Sequence, residues 1–367
     1  MTMNTATIKF DAFETLKNDD CQDRIIIAKK SLKDKIVILG HHYQNETVYR
    51  HADYSGDSLK LAQYVQNLDA KYIIFLGVHF MAEVSNILSR PDQITVLPDL
   101  SAGCSMADMA NLAKVERTYR ELSKVLNFNE TITPITYINS AADLKAFCGE
   151  HDGIVCTSTN APNILDWAFK QKEKVLFFPD QNLGRWTGHK MGIPLEDMPI
   201  WDPDLPLGGL TKEQIINAKV LLWKGHCAVH QMFRLQHIKN FKEVHPDGFV
   251  ISHPESPFEV CKNSDFVGST EYILNKIKQA EPNTKWLVGT ELNLVNRLAN
   301  EMEPEGKLVK FMSHMVCECS TMARIDPQHL CWTLENIIQE NPVNIINVPK
   351  KEAELAKLAL DRMLEVS

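Results

Sequence analysis

Nine cysteines stand at positions 21, 104, 148, 156, 227, 261, 317, 319 and 331 of a 367-residue chain. Their number is odd, their spacing is irregular, and the opening stretch MTMNTATIKFDAFETLKNDD carries no apolar leader. Disulfides are therefore not expected, and reduced thiols or metal ligands are. Most of the nine read as small buried hydrophobes. Cys156 lies inside the apolar run GIVCTS, Cys148 and Cys331 fall in helical patterns, Cys21 is near the chain start, and Cys261 follows HPESPFEV. Cys104, Cys227 and the pair Cys317/Cys319 differ, because SAGC, KGHC and SHMVCEC each come just after an apolar run. No CxxC occurs, and Cys-Glu-Cys is too tight for a zinc knuckle. Three thiolates without a fourth suit an iron–sulfur cluster with one iron left open as a Lewis acid. Zinc on three cysteines is the alternative.

Histidines and hydroxyls occupy the same kind of loop. His41-His42-Tyr43 and His253-Pro254-Glu255 each follow an apolar run. A His beside a carboxylate suits acid–base work or the binding of a substrate carboxylate, and a phenol such as Tyr43 can pass a proton. Ser58, Ser158, Ser269, Thr270 and Asn139 crowd further loops of this type. Singly such residues are ordinary helix caps; together at helix starts they can hold phosphate or carboxylate. Asp180 and Asp202 stand near loops but form no evident carboxylate pair. Neither GxxxxGK[ST] nor GxGxxG occurs at a strand end, so neither an NTP nor a dinucleotide is indicated.

The elements that must position these loops recur along the chain. Eleven apolar runs of four to six residues, from KIVILG and KYIIFLG to KWLVG and KLVKFM, each lead into a short polar loop. Continuous Val, Ile, Leu and Phe suit strands buried on both faces. Amphipathic stretches such as 58–68 and 142–150 lie between them. Such alternation predicts an α/β chain of parallel sheets with chemistry beyond the carboxyl ends of the strands. The three cysteine loops close segments of about a hundred residues each, as a diverged triplication would. The expected domains are 25–115 joined by 317–367, then 116–228, then 229–316. Their pseudo-threefold relation would direct three clusters of strand ends at one centre.

Composition removes other classes. The chain is 44% hydrophobic and 23% charged, which describes a large core and not a disordered chain. The formal net charge is -8, and the mildly basic stretch 234–242 reads as one solvated helix face, so no nucleic-acid partner is expected. No run approaches 18 apolar residues, so no membrane span is expected either. A cytoplasmic enzyme is the expectation, and an iron–sulfur redox sensor, which would need a partner-binding module, is the non-enzyme rival.

Ten motifs in order give this set a family. GHHYQ (40–44), GDSL (56–59), GVHFMAE (77–83), AGCSMAD (102–108), TYINS (136–140), PDQNLGR (179–185), WKGHCAVH (223–230), HPES (253–256), VGST (267–270) and CSTMARI (319–325) together resemble quinolinate synthase, in its longer bacterial form. The resemblance implies condensation of iminoaspartate with dihydroxyacetone phosphate to quinolinate, with release of phosphate and two waters, for the NAD pyridine ring. It implies a [4Fe–4S] cluster held by Cys104, Cys227 and Cys319 with one open iron; Cys319 is preferred to Cys317 because CSTMARI matches the family's ligand pattern. His41, Ser58, Tyr137, Asn139, Ser158, His253, Glu255 and Thr270 match substrate-binding positions. Tyr43, Glu255 and His230 are the implied catalytic groups. The resemblance also implies three α/β domains about a pseudo-threefold axis. Iminoaspartate is unstable in water, so coupling to an enzyme that produces it is a further expectation. The extra length around 186–212 has no assigned role.

Overall fold

The computed structural model describes residues 7–313 and 318–366. Thirteen strands run through these residues: β1 (Ile36–His41), β2 (Tyr54–Gly56), β3 (Tyr72–Leu76), β4 (Ile94–Val96), β5 (Ile132–Tyr137), β6 (Ile154–Cys156), β7 (Lys174–Phe178), β8 (Ile200–Trp201), β9 (Val220–Trp223), β10 (Phe249–Ser252), β11 (Phe266–Val267), β12 (Lys285–Gly289) and β13 (Leu308–Phe311). They form three sheets with the orders β2-β1-β3-β4, β6-β5-β7-β9-β8 and β11-β10-β12-β13. Every pairing within the sheets is parallel. The expected α/β class with parallel sheets is therefore the observed one.

The chain divides into two compact units. One runs to Cys104 and takes up Glu318–Val348; the other begins at Ser105 and takes up the C-terminal segment from Pro349. The first unit holds the first sheet, and the second holds the other two. The helix Lys350–Val366 belongs to the second unit, where it packs on the helix Ala142–Glu150. At their closest approach the Cα of Gly149 lies against the backbone of Leu355; a Cβ there would fall 1.9 Å from the Leu355 carbonyl oxygen, so only glycine fits.

The third sheet shows why the strands read as unbroken apolar runs. Successive side chains point to opposite faces. Ile251, Trp286 and Val288 pack on one face against Ile273, Ile277 and Leu298, while Val250 and Leu287 pack on the other against Phe233, Ile238, Phe241 and Met312. Both faces are dry, so period-two alternation of polar and apolar residues is lost.

All eleven expected runs are strands, and two further strands are present. β2 holds Tyr-Ser-Gly, with Tyr54 exposed, and β8 holds two residues at the edge of the second sheet. Neither has an apolar run to betray it. β8 lies within the extra length at 186–212, and it has a structural task there. Trp201 is buried, and its indole N–H donates to Thr118 Oγ1 at 3.0 Å, fastening the insertion to the helix Leu112–Leu122. Among the described residues no helix is long and apolar enough to cross a membrane.

Candidate active site

In the second unit, two sheets bring their strand ends to one buried cluster. Tyr137 is the last residue of β5, and its phenol donates to Glu255 Oε1 at 2.5 Å. Glu255 follows β10 in the loop His253–Ser256, and its other oxygen, Oε2, lies 2.9 Å from His230 Nδ1. His230 opens a short 3-10 turn, His230–Met232, and its Nε2 lies 3.4 Å from Thr290 Oγ1 beyond β12. The His253 ring lies over that of His230 with centroids 4.7 Å apart, and its Nδ1 is 3.8 Å from Glu255 Oε1. Asn182 closes the cluster by donating to the Glu255 carbonyl at 3.1 Å. All of these groups are buried.

Burial and charge set the protonation of this cluster. Burial pushes the Glu255 carboxyl up, but electrostatic interaction with the imidazoles of His230 and His253 and hydrogen bonds from His230 and Tyr137 outweigh it and hold the group at about 2. Burial drives His253 down to about 3 despite Glu255 nearby, so its imidazole is neutral at pH 7. Asp180, at the end of β7, is fully buried and moves the other way. Burial first, and then the charge of Glu255, raise its carboxyl well above the usual range. Two buried acids that interact electrostatically therefore have opposed shifts, an arrangement typical of reaction centres.

Cys227 lies at the rim. Its Sγ, a ring nitrogen of His230 and a carboxylate oxygen of Glu255 all lie within 4.8 Å of one another, and Cys227 is half-buried where the other two are buried.

The first unit assembles a second group of loops. His41 ends β1 and is buried, and its Nδ1 accepts the backbone N–H of Tyr43 at 3.2 Å. The His41 and Tyr43 rings meet edge to face at 4.7 Å. Gln44 Nε2 approaches Met322 Sδ at 3.3 Å, which brings the segment of Cys319 to the loop of His41 and Tyr43. Arg324 Nε donates to Asp99 Oδ2 at 2.8 Å, and Asp99 Oδ1 in turn accepts the N–H of Ser101 at 2.9 Å. That contact ties the loop of Cys104 to the segment of Cys319. Ser58 opens the helix Ser58–Val65, which Asp57 caps by accepting the Lys60 N–H at 3.0 Å.

Comparison with known proteins gives the chain its family. The family model described as "Quinolinate synthetase A protein" matches residues 23–365. The chain is 49% identical to the quinolinate synthase of Rhodopirellula baltica, over 96% of this chain and 93% of that one. It is 50% identical to that of Herpetosiphon aurantiacus, over 96% and 94% respectively. Against a quinolinate synthase of Bacillus cereus the identity is 46%, over 97% and 95%. The chain belongs to the quinolinate synthetase A family.

A member of this family is an enzyme of NAD biosynthesis. Tyr137, His230, His253 and Glu255 share the cluster of the second unit. Asn139, two residues beyond Tyr137, is half-buried, and its Oδ1 is buried with no hydrogen-bond partner. An orphaned carbonyl in a strand-end loop is a site waiting for a donor. Ser158 is half-buried just past β6, and Thr270 is buried as the first residue of the helix Thr270–Lys278. Ser269, before it, is that helix's N-cap. His41, Tyr43 and Ser58 lie in the first unit.

The cysteines sort as their surroundings require. Cys21, Cys148, Cys156, Cys261 and Cys331 are buried, and burial pushes all five thiols up. Such thiols are inert. Cys104, Cys227 and Cys319 alone among the described cysteines are half-buried, and each lies in a loop. Their donor chemistry and partial access fit a thiolate-bound metal group. Cys104 and Cys319 belong to the first unit and Cys227 to the second. Cys317 lies outside the described residues.

Sequence reasoning missed Asp180 and Asn182 as members of the cluster. PDQNLGR was legible as a motif, but nothing in its spacing brings it to Glu255. The Asp99–Arg324 pair was equally hidden, since its partners are far apart in the chain.

Proposed function

We propose that this chain condenses iminoaspartate with dihydroxyacetone phosphate to quinolinate, releasing phosphate and two waters. The observation that carries the reading is the buried cluster Tyr137–Glu255–His230–His253 at converging strand ends. Substrates with carboxylates and a phosphate need charge-assisted donors, and His, Tyr, Asn, Ser and Thr supply them. His41, Ser58, Tyr137, Asn139, Ser158, His253, Glu255 and Thr270 bind the substrates. The loops of Ser58 and Ser158 hold the phosphate, and holding both substrates at once supplies the orientation term.

Glu255, ionised at neutral pH, is the general base. Its proton affinity is lowest while His230 and Tyr137 both hold it, so displacement of either by substrate raises that affinity. His230 receives the proton onward, and Tyr43 relays a second one. Cys104, Cys227 and Cys319 would hold a [4Fe–4S] cluster, which would supply Lewis-acid chemistry to a substrate hydroxyl. We read the second unit as two α/β modules, 116–228 and 229–316, and the first unit as a third that residues 318–348 rejoin, while the helix Lys350–Val366 stays with the second unit. The cytoplasm is the setting, with an iminoaspartate-producing enzyme as functional neighbour.

The test is direct. Protein reconstituted with iron and sulfide under anaerobic conditions is mixed with freshly generated iminoaspartate and dihydroxyacetone phosphate. Quinolinate should accumulate; its absence with an intact cluster defeats the reading. The proximity of Cys227, His230 and Glu255 favours one rival, a zinc ion on these three donors. One tight zinc and no acid-labile sulfide in anaerobically purified protein would establish the rival.

A further inference from the structure

We propose that Asp180, with its neighbours Pro179 and Gln181, is a positioning residue that sets the place of the Cys227 loop. The inference rests on the reading of Cys227 as a metal ligand. Asp180 caps the helix Gln181–Lys190, its Oδ1 accepting the Leu183 N–H at 2.7 Å. A cap needs only one acceptor oxygen, and Asn111 and Thr211 cap their helices without any charge. Asp180 is instead fully buried. Its second oxygen, Oδ2, is buried with no hydrogen-bond partner, and the backbone of Cys227 is near enough to favour the ionised carboxyl group. A buried acceptor with a spare oxygen beside the cysteine loop is more than capping requires.

Two further contacts make the same connection. The Gln181 N–H donates to the Gly225 carbonyl at 3.0 Å. Gly225 lies so close to Pro179 that a Cβ would fall 2.2 Å from the Pro179 carbonyl oxygen. Residues 179–181 are thus strapped to residues 225–227, and the strapped loop leads on to His230. The strap holds both a ligand and a catalytic group from one side.

The test uses the full-length chain in two states. Asp180→Asn keeps an oxygen for the cap but replaces the buried second oxygen with an amide donor on the side of the Cys227 loop. In metal-free protein, alkylation of Cys227 by iodoacetamide, read residue by residue by mass spectrometry, should quicken on the order of tenfold, with Cys104 unchanged. In reconstituted protein, the cluster should be lost to chelator faster, with an altered paramagnetic-resonance spectrum after reduction. Alkylation of Cys227 at the wild-type rate, with unchanged cluster retention, would overturn the proposal and leave Asp180 a helix cap only. Buried Cys156 and Cys261 report folding, since they stay unalkylated in folded protein. If Asp180→Asn exposes them, Gln181→Pro decides. Proline is tolerated at the first helical position and removes only the N–H that reaches Gly225. Faster Cys227 alkylation in that variant supports the strap, and the wild-type rate overturns it. Wild-type protein that takes up no iron and sulfide defeats the cluster reading instead, and the alkylation comparison still decides the strap.

Discussion

Tyr137 and Glu255 join two sheets through one hydrogen bond of 2.5 Å between buried side chains. Tyr137 ends β5 in the second sheet, and Glu255 follows β10 in the third. The carboxylate would be costly to bury alone, and its three neighbours remove that cost. The bond therefore couples the stability of the second unit to the geometry of its candidate site.

Tyr137→Phe should expose that coupling. The variant loses a donor to a buried charge, which costs about 1–3 kcal/mol. Chemical denaturation should show a lower midpoint with an unchanged slope. Quinolinate formation should fall on the order of tenfold to a hundredfold, because the carboxylate is no longer fixed. Steady-state kinetics at matched cluster content checks this.

Stability should fall as the solution is acidified from about pH 6.5. Burial holds His253 at about 3 and His51 at about 4, against an ordinary value of 6.5. Below 6.5 the unfolded chain takes up protons that the folded chain refuses, so stability drops with falling pH until the folded groups also titrate. Glu255, at about 2 against 4.5, adds a further loss below 4.5. Asp180 has the opposite sign, since a raised folded value favours the fold at low pH and weakens it as pH rises. His51 is far simpler than the cluster, being buried in the first unit with its Nε2 2.6 Å from Gln22 Oε1. His51→Gln should flatten the dependence of Tm on pH between about 4 and 6.5 relative to wild type. A parallel curve would contradict the assignment.

The Asp99–Arg324 pair is expected to matter more for metal than for stability. Arg324 is about half exposed, with a side-chain exposure of 49%, so its pairing is worth at most about 1 kcal/mol. Arg324→Met should thus leave Tm within a few degrees of wild type. It should nonetheless lower iron and sulfide retained per chain, because the loops of Cys104 and Cys319 lose their tie. Metal content after gel filtration is the readout.

Cys319→Ala should abolish cluster uptake, and Cys317→Ala should preserve it. Iron analysis of the two variants side by side tests the choice within this pair. The reverse pattern would move the ligand role to Cys317.

Much of this was legible in the sequence, and what was not has physical causes. Eleven strands announced themselves through short apolar runs, unbroken where both faces of the strand are buried, as in KVLFF and KWLVG. β2 and β8 escaped because an edge strand of two or three residues needs no such run. Cys148, Cys156, Cys261 and Cys331 were recognisable as core from their helical or strand setting. The partnership of Asp180 with Glu255 was not recognisable. Both follow strands, but a sequence does not show which strand ends converge, and Asp180 looked like any other loop acid. His230 and Tyr137 were named through resemblance, whereas their shared contact with one carboxylate is a tertiary fact.

The most direct test of the account compares wild type with Glu255→Gln, both reconstituted to the same iron and sulfide content and supplied with iminoaspartate and dihydroxyacetone phosphate. Glutamine keeps the size of the side chain and removes its charge and basicity. The account predicts quinolinate from wild type and a loss on the order of a hundredfold to ten-thousandfold in the variant. Quinolinate formed by Glu255→Gln at the wild-type rate, or none formed by wild type with its cluster intact, would contradict it.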